Sequence, residues 1–351
     1  METPDSSTIS VEAVQQPGSE TEFGQHLLSL TPFHPRKQIL PSCAHVRYGD
    51  LQASGGPASP GINELRPPSD VLLQMDAAET QPLHTALMSI GKVPSSWKKA
   101  IVTPIYKKGL ASRPENYRPI SQTSIFCKLM ERIVSQDLTD HLTSQGLLSE
   151  KQHGFIKGRS TLTNLLESVS DWTLALDNKR TTSAIYIDFS RAFDMVSHPK
   201  LLSKLRSYNI SGDLLCFITD FLSNRSQRTR VGNSLSEIKE LISGVIQGSC
   251  LGPLLFLLYV NDVTRILDNC VEAKLYADDI KLYTHIETTV DEFRLQHNLN
   301  KLVRWAEAWQ LSVSYSKCAA IDLGISKKTL QFQLLISLET TGWSELHWRM
   351  T

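Results

Sequence analysis

Two adjacent aspartates, Asp278 and Asp279, interrupt an apolar, β-prone segment that runs from Ala273 to Tyr283. Burying one ionised carboxylate is costly, and burying two side by side is worse unless cations pair with them. Neighbouring residues of a strand point to opposite faces, so only a turn lets both carboxylates reach one site. The segment therefore predicts a β-hairpin whose tip carries both aspartates, at least one of them on a hard cation such as Mg²⁺. The alternative is an exposed Asp-Asp turn, since aspartate is a common turn residue.

A third acid, Asp188, ends a short apolar strand that is predicted to begin at Ser183. One strand-end acid and an Asp-Asp hairpin tip can form a cluster that holds two divalent ions about 3.5–4 Å apart. Such ions lower the pKa of an attacking hydroxyl and stabilise a phosphoryl group during its transfer. Any one of these acids is more often structural than catalytic. The presence of all three in apolar strand settings favours the catalytic interpretation.

Charge is balanced over the whole chain, with 36 Lys/Arg and 36 Asp/Glu, but it is not balanced along the chain. Residues 1–82 hold 4 basic and 10 acidic side chains, whereas residues 83–160 hold 12 basic and 5 acidic ones. A local basic surface of this kind indicates a polyanionic partner.

The six cysteines are scattered without paired spacing. This argues against a zinc site or a disulfide framework and indicates a reducing compartment. The first ten residues are polar and acidic, unlike a signal peptide. The most apolar run, 251–260, is too short to cross a bilayer and contains Pro253, so it is assigned to the core. We expect an intracellular protein of the cytoplasm, the nucleus or both, with no membrane partner.

The chain divides into a polar segment and a longer folded part. Residues 1–70 are rich in Ser, Pro, Gly and acids, and we expect them to be disordered. From about Val71 onward helices alternate with mostly antiparallel strands, which predicts an α+β fold. The stretch from Asn116 to Ser121 is predicted to end a loop, and 311–323 to form a last hairpin. Residues 325–351 show no period and predict an irregular tail.

One predicted helix follows a cap at Ser160 or Thr161. Its apolar side chains are Leu162, Leu165, Leu166, Val169 and Trp172.

Four short motifs occur in a fixed order along the folded part. They are Asn116-Tyr117-Arg118-Pro119-Ile120-Ser121, then Asp188-Phe189-Ser190-Arg191-Ala192-Phe193-Asp194, then Ser243-Gly244-Val245-Ile246-Gln247-Gly248-Ser249-Cys250-Leu251-Gly252-Pro253-Leu254-Leu255-Phe256, and Tyr276-Ala277-Asp278-Asp279. Over about Lys92 to Leu323 the chain strongly resembles the reverse transcriptase of non-LTR (LINE-type) retrotransposons. Four motifs in order are far more specific than any single one.

The resemblance implies a right-hand polymerase with an antiparallel palm sheet. Fingers would occupy residues 71–178 and the palm residues 179–324, within a reverse transcriptase domain of about 90–324. The sequence after Gly324 does not resemble the thumb, and no endonuclease domain precedes the polymerase part. We therefore expect a fragment in which the thumb is missing.

For the carboxylates, the resemblance implies that Asp188 and Asp278 are metal ligands and that Asp279 is the third palm acid beside them. The implied cofactor is a pair of Mg²⁺ ions, with Mn²⁺ as a substitute. Lys317 matches the late-palm lysine of the family, a candidate proton donor to pyrophosphate.

The resemblance also implies a nucleotide pocket. Phe193 matches the family's steric gate, whose ring leaves no room for a 2′-hydroxyl, so deoxynucleotides would be preferred. An ordinary core aromatic is the alternative for this residue. Gln247 and Gly248 match the loop that shapes the pocket, where glycine permits close backbone approach.

Basic side chains complete the implied set. Arg118 matches the fingers residue that contacts the triphosphate, a role suited to a guanidinium, with Lys107 or Lys108 assisting. Arg159, in Gly158-Arg159-Ser160, matches a residue near the template and would contact a template phosphate.

The sequence departs from the family pattern at several positions. Ser314 stands where the family usually has Asn, Ile246 where it has proline, and Gln122 where it has leucine. The upstream Gly-Pro-Asp-Gly signature is reduced to Ser59-Pro60-Gly61-Ile62, which puts the earliest fingers element in doubt.

The leading hypothesis is an RNA-directed DNA polymerase core that uses an RNA template, a DNA primer and dNTPs. The second is a catalytically silent remnant that binds only RNA or a protein partner, because lost thumb contacts alone could silence the enzyme. A third is a maturase-type relative that aids splicing. Template-dependent incorporation separates the first hypothesis from the second.

Overall fold

The computed structural model describes residue 85, residues 89–324 and the strands at 331–338 and 342–349. The segment 1–70, predicted to be disordered, lies outside the described residues. Within them, helices are mixed with mostly antiparallel strands, which confirms the α+β prediction.

The described part of the chain contains six main helices and eleven strands, numbered here in chain order. The main helices are α1 (Ile125–Ser144), α2 (Thr161–Asp177), α3 (His198–Ser207), α4 (Gly212–Leu222), α5 (Gly252–Val260) and α6 (Thr289–Ala308). The strands are β1 (Lys99–Tyr106), β2 (Tyr117–Gln122), β3 (Thr181–Ile187), β4 (Arg225–Val231), β5 (Ser234–Leu235), β6 (Lys239–Leu241), β7 (Glu272–Tyr276), β8 (Asp279–Ile286), β9 (Ala319–Leu323), β10 (Gln331–Leu338) and β11 (Gly342–Arg349).

A first sheet has the strand order β2-β1-β4-β5, with β6 also paired to β4. Strand β1 is antiparallel to β2 and parallel to β4. Ala100 and Val102 of β1 are buried, while the alternate residues Ile101 and Thr103 are half-buried. This alternation is typical of a sheet with one face on the core. The sheet joins strands that lie on both sides of residue 178 in the sequence.

A second sheet, fully antiparallel, has the order β7-β8-β3-β9. Its strand β3 is buried from Thr182 to Ile187 because both faces of the sheet are covered. On one face Ala184 and Tyr186 pack with Trp172 of α2. On the other, Ile185 and Ile187 join the main core with residues of α1 and of α3 to α6. A strand covered on both sides is expected to be continuously apolar, as this one is.

Helix α5 lies at the centre of the main core, with every residue from Leu254 to Val260 buried. The apolar run 251–260 is thus core, as predicted. Among the helices of the described part of the chain, none is both long and apolar enough to span a membrane.

Helix α2 begins where the sequence predicts, and its buried face only partly matches the predicted apolar residues. Ser160 caps it in a capping box with Thr163. Leu162 and Leu166, predicted as apolar contacts, are 60% and 58% exposed. The buried face includes Trp172, as predicted, and also Asn164, whose Nδ2 donates to the Leu275 carbonyl at 3.1 Å. Its hydrogen bond offsets the cost of burying the amide, so a polar residue can occupy the buried face. A search for apolar residues at helical spacing does not find such a residue.

Three local predictions are wrong. Residues 117–122 form β2 instead of ending a loop; Pro119 is tolerated because β2 is an edge strand. The region 311–323 is not a hairpin, since β9 pairs with β3 and Val313 bridges to Phe189. The tail predicted to be irregular over 325–351 contains the antiparallel pair β10 and β11.

Candidate active site

The tip of the β7–β8 hairpin is a two-residue turn, Ala277-Asp278, because Tyr276 pairs with Asp279. Ala277 is buried and has φ +56°, in the left-handed region that disfavours side chains. This conformation costs on the order of 1 kcal/mol and persists only where surrounding contacts hold it. Asp278 and Asp279 are both half-buried. The tip is therefore a constrained turn and not a freely exposed one.

The pairing of β3 with β8 brings Asp188 to the same end of the sheet. Ile187 pairs with Ile280, so continuing this register by one residue sets Asp188 opposite Asp279. Directly opposed residues of an antiparallel pair have Cα atoms about 4.5–5.5 Å apart. The pairing thus brings three acids that are up to 91 positions apart in the sequence to the same end of this sheet.

The segment after α6 places Lys317 beside Asp188. The Ser314 amide donates to the Asp188 carbonyl at 2.8 Å, and the Ser190 amide donates to the Ser312 carbonyl at 2.8 Å. A short 3₁₀ turn, Tyr315–Lys317, then brings Lys317 Nζ to 2.7 Å from Asp188 Oδ1. The lysine is 58% exposed and Asp188 is 22% exposed, so the pair adds little to stability. Its significance for the site is that it places a positively charged side chain next to the Asp188 carboxylate.

The described residues contain no group of three or more His, Cys, Asp or Glu side chains already gathered as a metal site. The donor chemistry nevertheless fits a hard divalent ion, because carboxylate oxygens are the ligands that Mg²⁺ and Mn²⁺ prefer. Asp188 already has a positive charge beside it. The residues that could hold an ion here are Asp188 and Asp278, with Asp279 adjacent.

Phe193 lies in an aromatic stack behind the turn that follows β3. Its ring is stacked on Phe256, with centroids 4.4 Å apart and planes at 13°, and it meets Phe155 edge-on at 6.2 Å. The side chain is half-buried, so part of the ring remains accessible. The packing fixes the orientation of the ring, as a steric gate requires, and is equally compatible with a core aromatic.

The loop that carries Gln247 and Gly248 packs between β2 and Asp194. The side-chain Nε2 of Gln247 donates to Asp194 Oδ1 at 3.0 Å. The backbone carbonyl of Gln247 accepts from the Ser121 amide at 2.7 Å. Gly248 has φ +108°, and a Cβ there would lie 2.6 Å from the Ser121 carbonyl oxygen. Burial raises the pKa of Asp194, which the bond from Gln247 opposes. Glycine at 248 is thus required by a close approach within the protein.

The predicted basic residues of the first sheet lie where β1 ends and β2 begins. Arg118 is half-buried in β2, opposite Ile105 of β1. Lys107, just beyond β1, is close enough to Asp194 to act against the rise in its pKa. Lys108 is exposed one residue further on. Of the two lysines, Lys107 is the one with an electrostatic link to the loop.

Arg159 braces its own loop. Its Nη1 donates to the Gln152 carbonyl at 3.0 Å and also to the Glu150 carbonyl. The guanidinium is half-buried, and its contact with a template phosphate stays a prediction.

Two supporting residues were not identified from the sequence. Glu131 of α1 is fully buried, and its Oε2 accepts from the Cys250 and Leu251 amides at 2.6 and 3.2 Å and from the Ser249 hydroxyl. It therefore fixes the loop before α5. The sequence signal that could have identified Glu131 is an acidic residue among the apolar residues that form the buried side of α1. Gln152 contacts the hairpin tip, and no sequence pattern indicated it.

Comparisons with known proteins agree with these motifs. A family model described as reverse transcriptase (RNA-dependent DNA polymerase) matches residues 105–335. The chain is 33% identical over 243 residues to the Drosophila melanogaster protein named probable RNA-directed DNA polymerase from transposon BS, covering 67% of this chain and 27% of that protein. It is 29% identical over 247 residues to the RNA-directed DNA polymerase from mobile element jockey of the same species, covering 68% and 27%.

A solved telomerase structure from Candida albicans aligns with a TM-score of 0.48 at 14% identity, covering 74% of this chain and 48% of that one. The chain spans 27% of the length of each of the two transposon relatives.

Proposed function

The chain belongs to the reverse transcriptase (RNA-dependent DNA polymerase) family, and from that premise we propose that it is the polymerase core of a non-LTR retrotransposon. Its reaction is the RNA-directed transfer of deoxynucleotides from dNTPs to a primer 3′-hydroxyl. The observation that carries the proposal is the register that sets Asp188 against the hairpin tip bearing Asp278. Its partners are an RNA template and a DNA primer, and its place of action is the cytoplasm or the nucleus.

The finer architecture of the proposal follows the two sheets. The antiparallel sheet β7-β8-β3-β9 serves as the palm, which agrees with the proposed palm range 179–324. The first sheet, with α1 and α2, serves as the fingers; it takes in β4 to β6 in addition to the proposed range 71–178. The nucleotide site lies between them, where the Gln247 loop contacts β2.

In this proposal Asp188 and Asp278 would hold the metal. Asp279, beside Asp278, would add negative charge at the same end of the sheet. When bound, a pair of divalent ions lowers the pKa of the primer hydroxyl and neutralises charge on the transferring phosphoryl group. Mg²⁺ is the proposed ion, and Mn²⁺ is expected to substitute. Lys317, which is paired with Asp188, serves in this proposal as the proton donor to the leaving pyrophosphate.

The nucleotide is held by residues that converge from three segments. Phe193, fixed by Phe256, excludes a ribose 2′-hydroxyl. Gln247 lies beside the sugar and Gly248 allows the loop to approach β2. Arg118 binds the triphosphate. Lys107 or Lys108 adds positive charge, and Arg159 contacts the template.

Primer extension with an RNA template, a DNA primer, Mg²⁺ and dNTPs tests the proposal. Asp278→Ala should abolish extension, because the remaining carboxylates cannot hold the metal, while thermal unfolding should stay close to that of the wild type. Asp177→Ala is the matched control, since it removes an exposed aspartate at the C-terminal end of α2.

Equal incorporation by the wild type and Asp278→Ala would contradict the proposal. RNA binding without incorporation by the wild type would support a silent, RNA-binding remnant instead.

A further inference from the structure

The turn that carries Asp278 contains a strained residue. Its first residue, Ala277, is a non-glycine residue in the left-handed region and is 5% exposed. A hairpin of this kind keeps such a conformation only if neighbouring groups fix the backbone. The group that fixes it comes from outside the hairpin, more than a hundred residues earlier in the chain.

That group is the side chain of Gln152, which is 4% exposed. Its Oε1 accepts from the Ala277 amide at 2.9 Å and from the Gly154 amide at 2.7 Å. Its Nε2 lies 3.5 Å from the Ala277 carbonyl oxygen, so one carboxamide faces both backbone polar groups of the strained residue. A buried carboxamide with this many partners defines a single geometry.

The backbone around Gln152 reinforces the contact. The Leu275 amide donates to the Lys151 carbonyl at 2.9 Å, and the His153 amide donates to the Leu275 carbonyl at 2.8 Å. This short parallel bridge runs along the edge of β7 up to the turn. At its end Gly154 lies so close to the hairpin that a Cβ there would be 2.4 Å from the Ala277 nitrogen.

We propose that Gln152 is a positioning residue of the active site: its carboxamide fixes the Ala277 backbone and thereby the direction in which Asp278 presents its carboxylate. It acts through the turn and touches neither substrate nor metal. The effect on catalysis rests on the proposed function, whereas the effect on the turn does not. A misplacement of about 1 Å in a reacting group can cost on the order of a hundredfold in rate, so support of this kind is large enough to matter.

The test combines amide exchange with steady-state kinetics on Gln152→Met, which keeps the length of the side chain but removes its acceptor. Exchange in the peptide 275–280 should become roughly tenfold faster or more, while exchange in β3 stays unchanged. The kcat for dNTP incorporation should fall roughly tenfold or more, with KM for dNTP within about twofold of the wild type. Gln145→Met, an exposed glutamine after α1, is the matched control and should change neither.

Wild-type exchange at 275–280 in Gln152→Met would overturn the inference, as would wild-type kcat in an active enzyme. A wild type that incorporates nothing would count against the proposed function but leave the exchange result to decide the role of Gln152. If Gln152→Met does not fold, Gln152→Glu, which burial favours as the neutral acid, retains both the acceptor and a donor toward the Ala277 carbonyl and should keep exchange at 275–280 within about threefold of the wild type. Loss of protection there, with β3 still protected, would contradict the inference.

Discussion

At the scale of single residues, Gly248 combines a backbone requirement with a steric one. Its φ is +108°, and a Cβ would lie 2.6 Å from the Ser121 carbonyl oxygen. Gly146 shares the first constraint alone, with φ +59° and open space around a Cβ. The two glycines therefore separate the cost of an unfavourable φ from the cost of a clash.

We expect Gly146→Ala to lower the free energy of unfolding by about 1 kcal/mol, the usual cost of a side chain at positive φ. Gly248→Ala should cost about 1–3 kcal/mol more, since β2 must shift. It should also raise KM for dNTP, because Gln247 moves with the loop. Urea unfolding and primer-extension kinetics measure both effects. Equal losses of stability in the two variants would show that a Cβ at position 248 does not clash with the Ser121 carbonyl of β2.

At the scale of elements, a buried lysine joins three helical segments. Lys204 of α3 is 4% exposed, and its Nζ lies 2.6 Å from Asp262 Oδ1 and 3.6 Å from the centre of the Trp309 ring. It also donates to the Tyr259 carbonyl of α5 and lies 5.1 Å from the ring of Trp305 in α6. Burial lowers the pKa of Lys204 from 10.5 to about 8, and Asp262 opposes that shift.

This lysine should give stability a pH dependence of known sign. Between pH 8 and 10.5 the unfolded chain binds more protons at this site than the folded one, so the free energy of unfolding should rise with pH. Lys204→Met should remove this part of the slope, whatever its effect on overall stability. Urea unfolding from pH 7.5 to 10.5 measures it, with the exposed Lys92→Met as control. A slope unchanged in Lys204→Met would mean that the folded protein does not depress this pKa.

Elements with a strong local pattern were predicted well from the sequence, including the cap of α2, the apolar β3 and the hairpin that carries Asp278. Elements defined by distant partners were not. Strand β2 contains Pro119, which local rules assign to a loop, and it is a strand only because β1 lies beside it. The apolar pattern of α2 indicated the buried Trp172 but not the buried Asn164, whose partner Leu275 lies in a distant strand.

At the scale of the whole molecule, the site depends on strand order. The apolar settings of Asp188 and Asp278, together with the family resemblance, predicted that they share one site, whereas their proximity follows from the pairing of β3 with β8. Pairing between segments about ninety residues apart leaves no periodic signal in either of them. The supporting contacts of Gln152 and Glu131 are equally non-local, which is why neither residue was predicted.

The central claim is that Asp188 and Asp278 act together on the same metal, and Mn²⁺ binding tests it most directly. A titration followed by electron paramagnetic resonance would compare the wild type with Asp188→Asn, Asp278→Asn and the double variant, in the presence of primer–template and dNTP. The account predicts that each single substitution weakens the same binding event and that the double variant is hardly worse than either one, because residues of one site are not additive. Wild-type Mn²⁺ binding in either single variant, or independent and additive losses in the double variant, would contradict it.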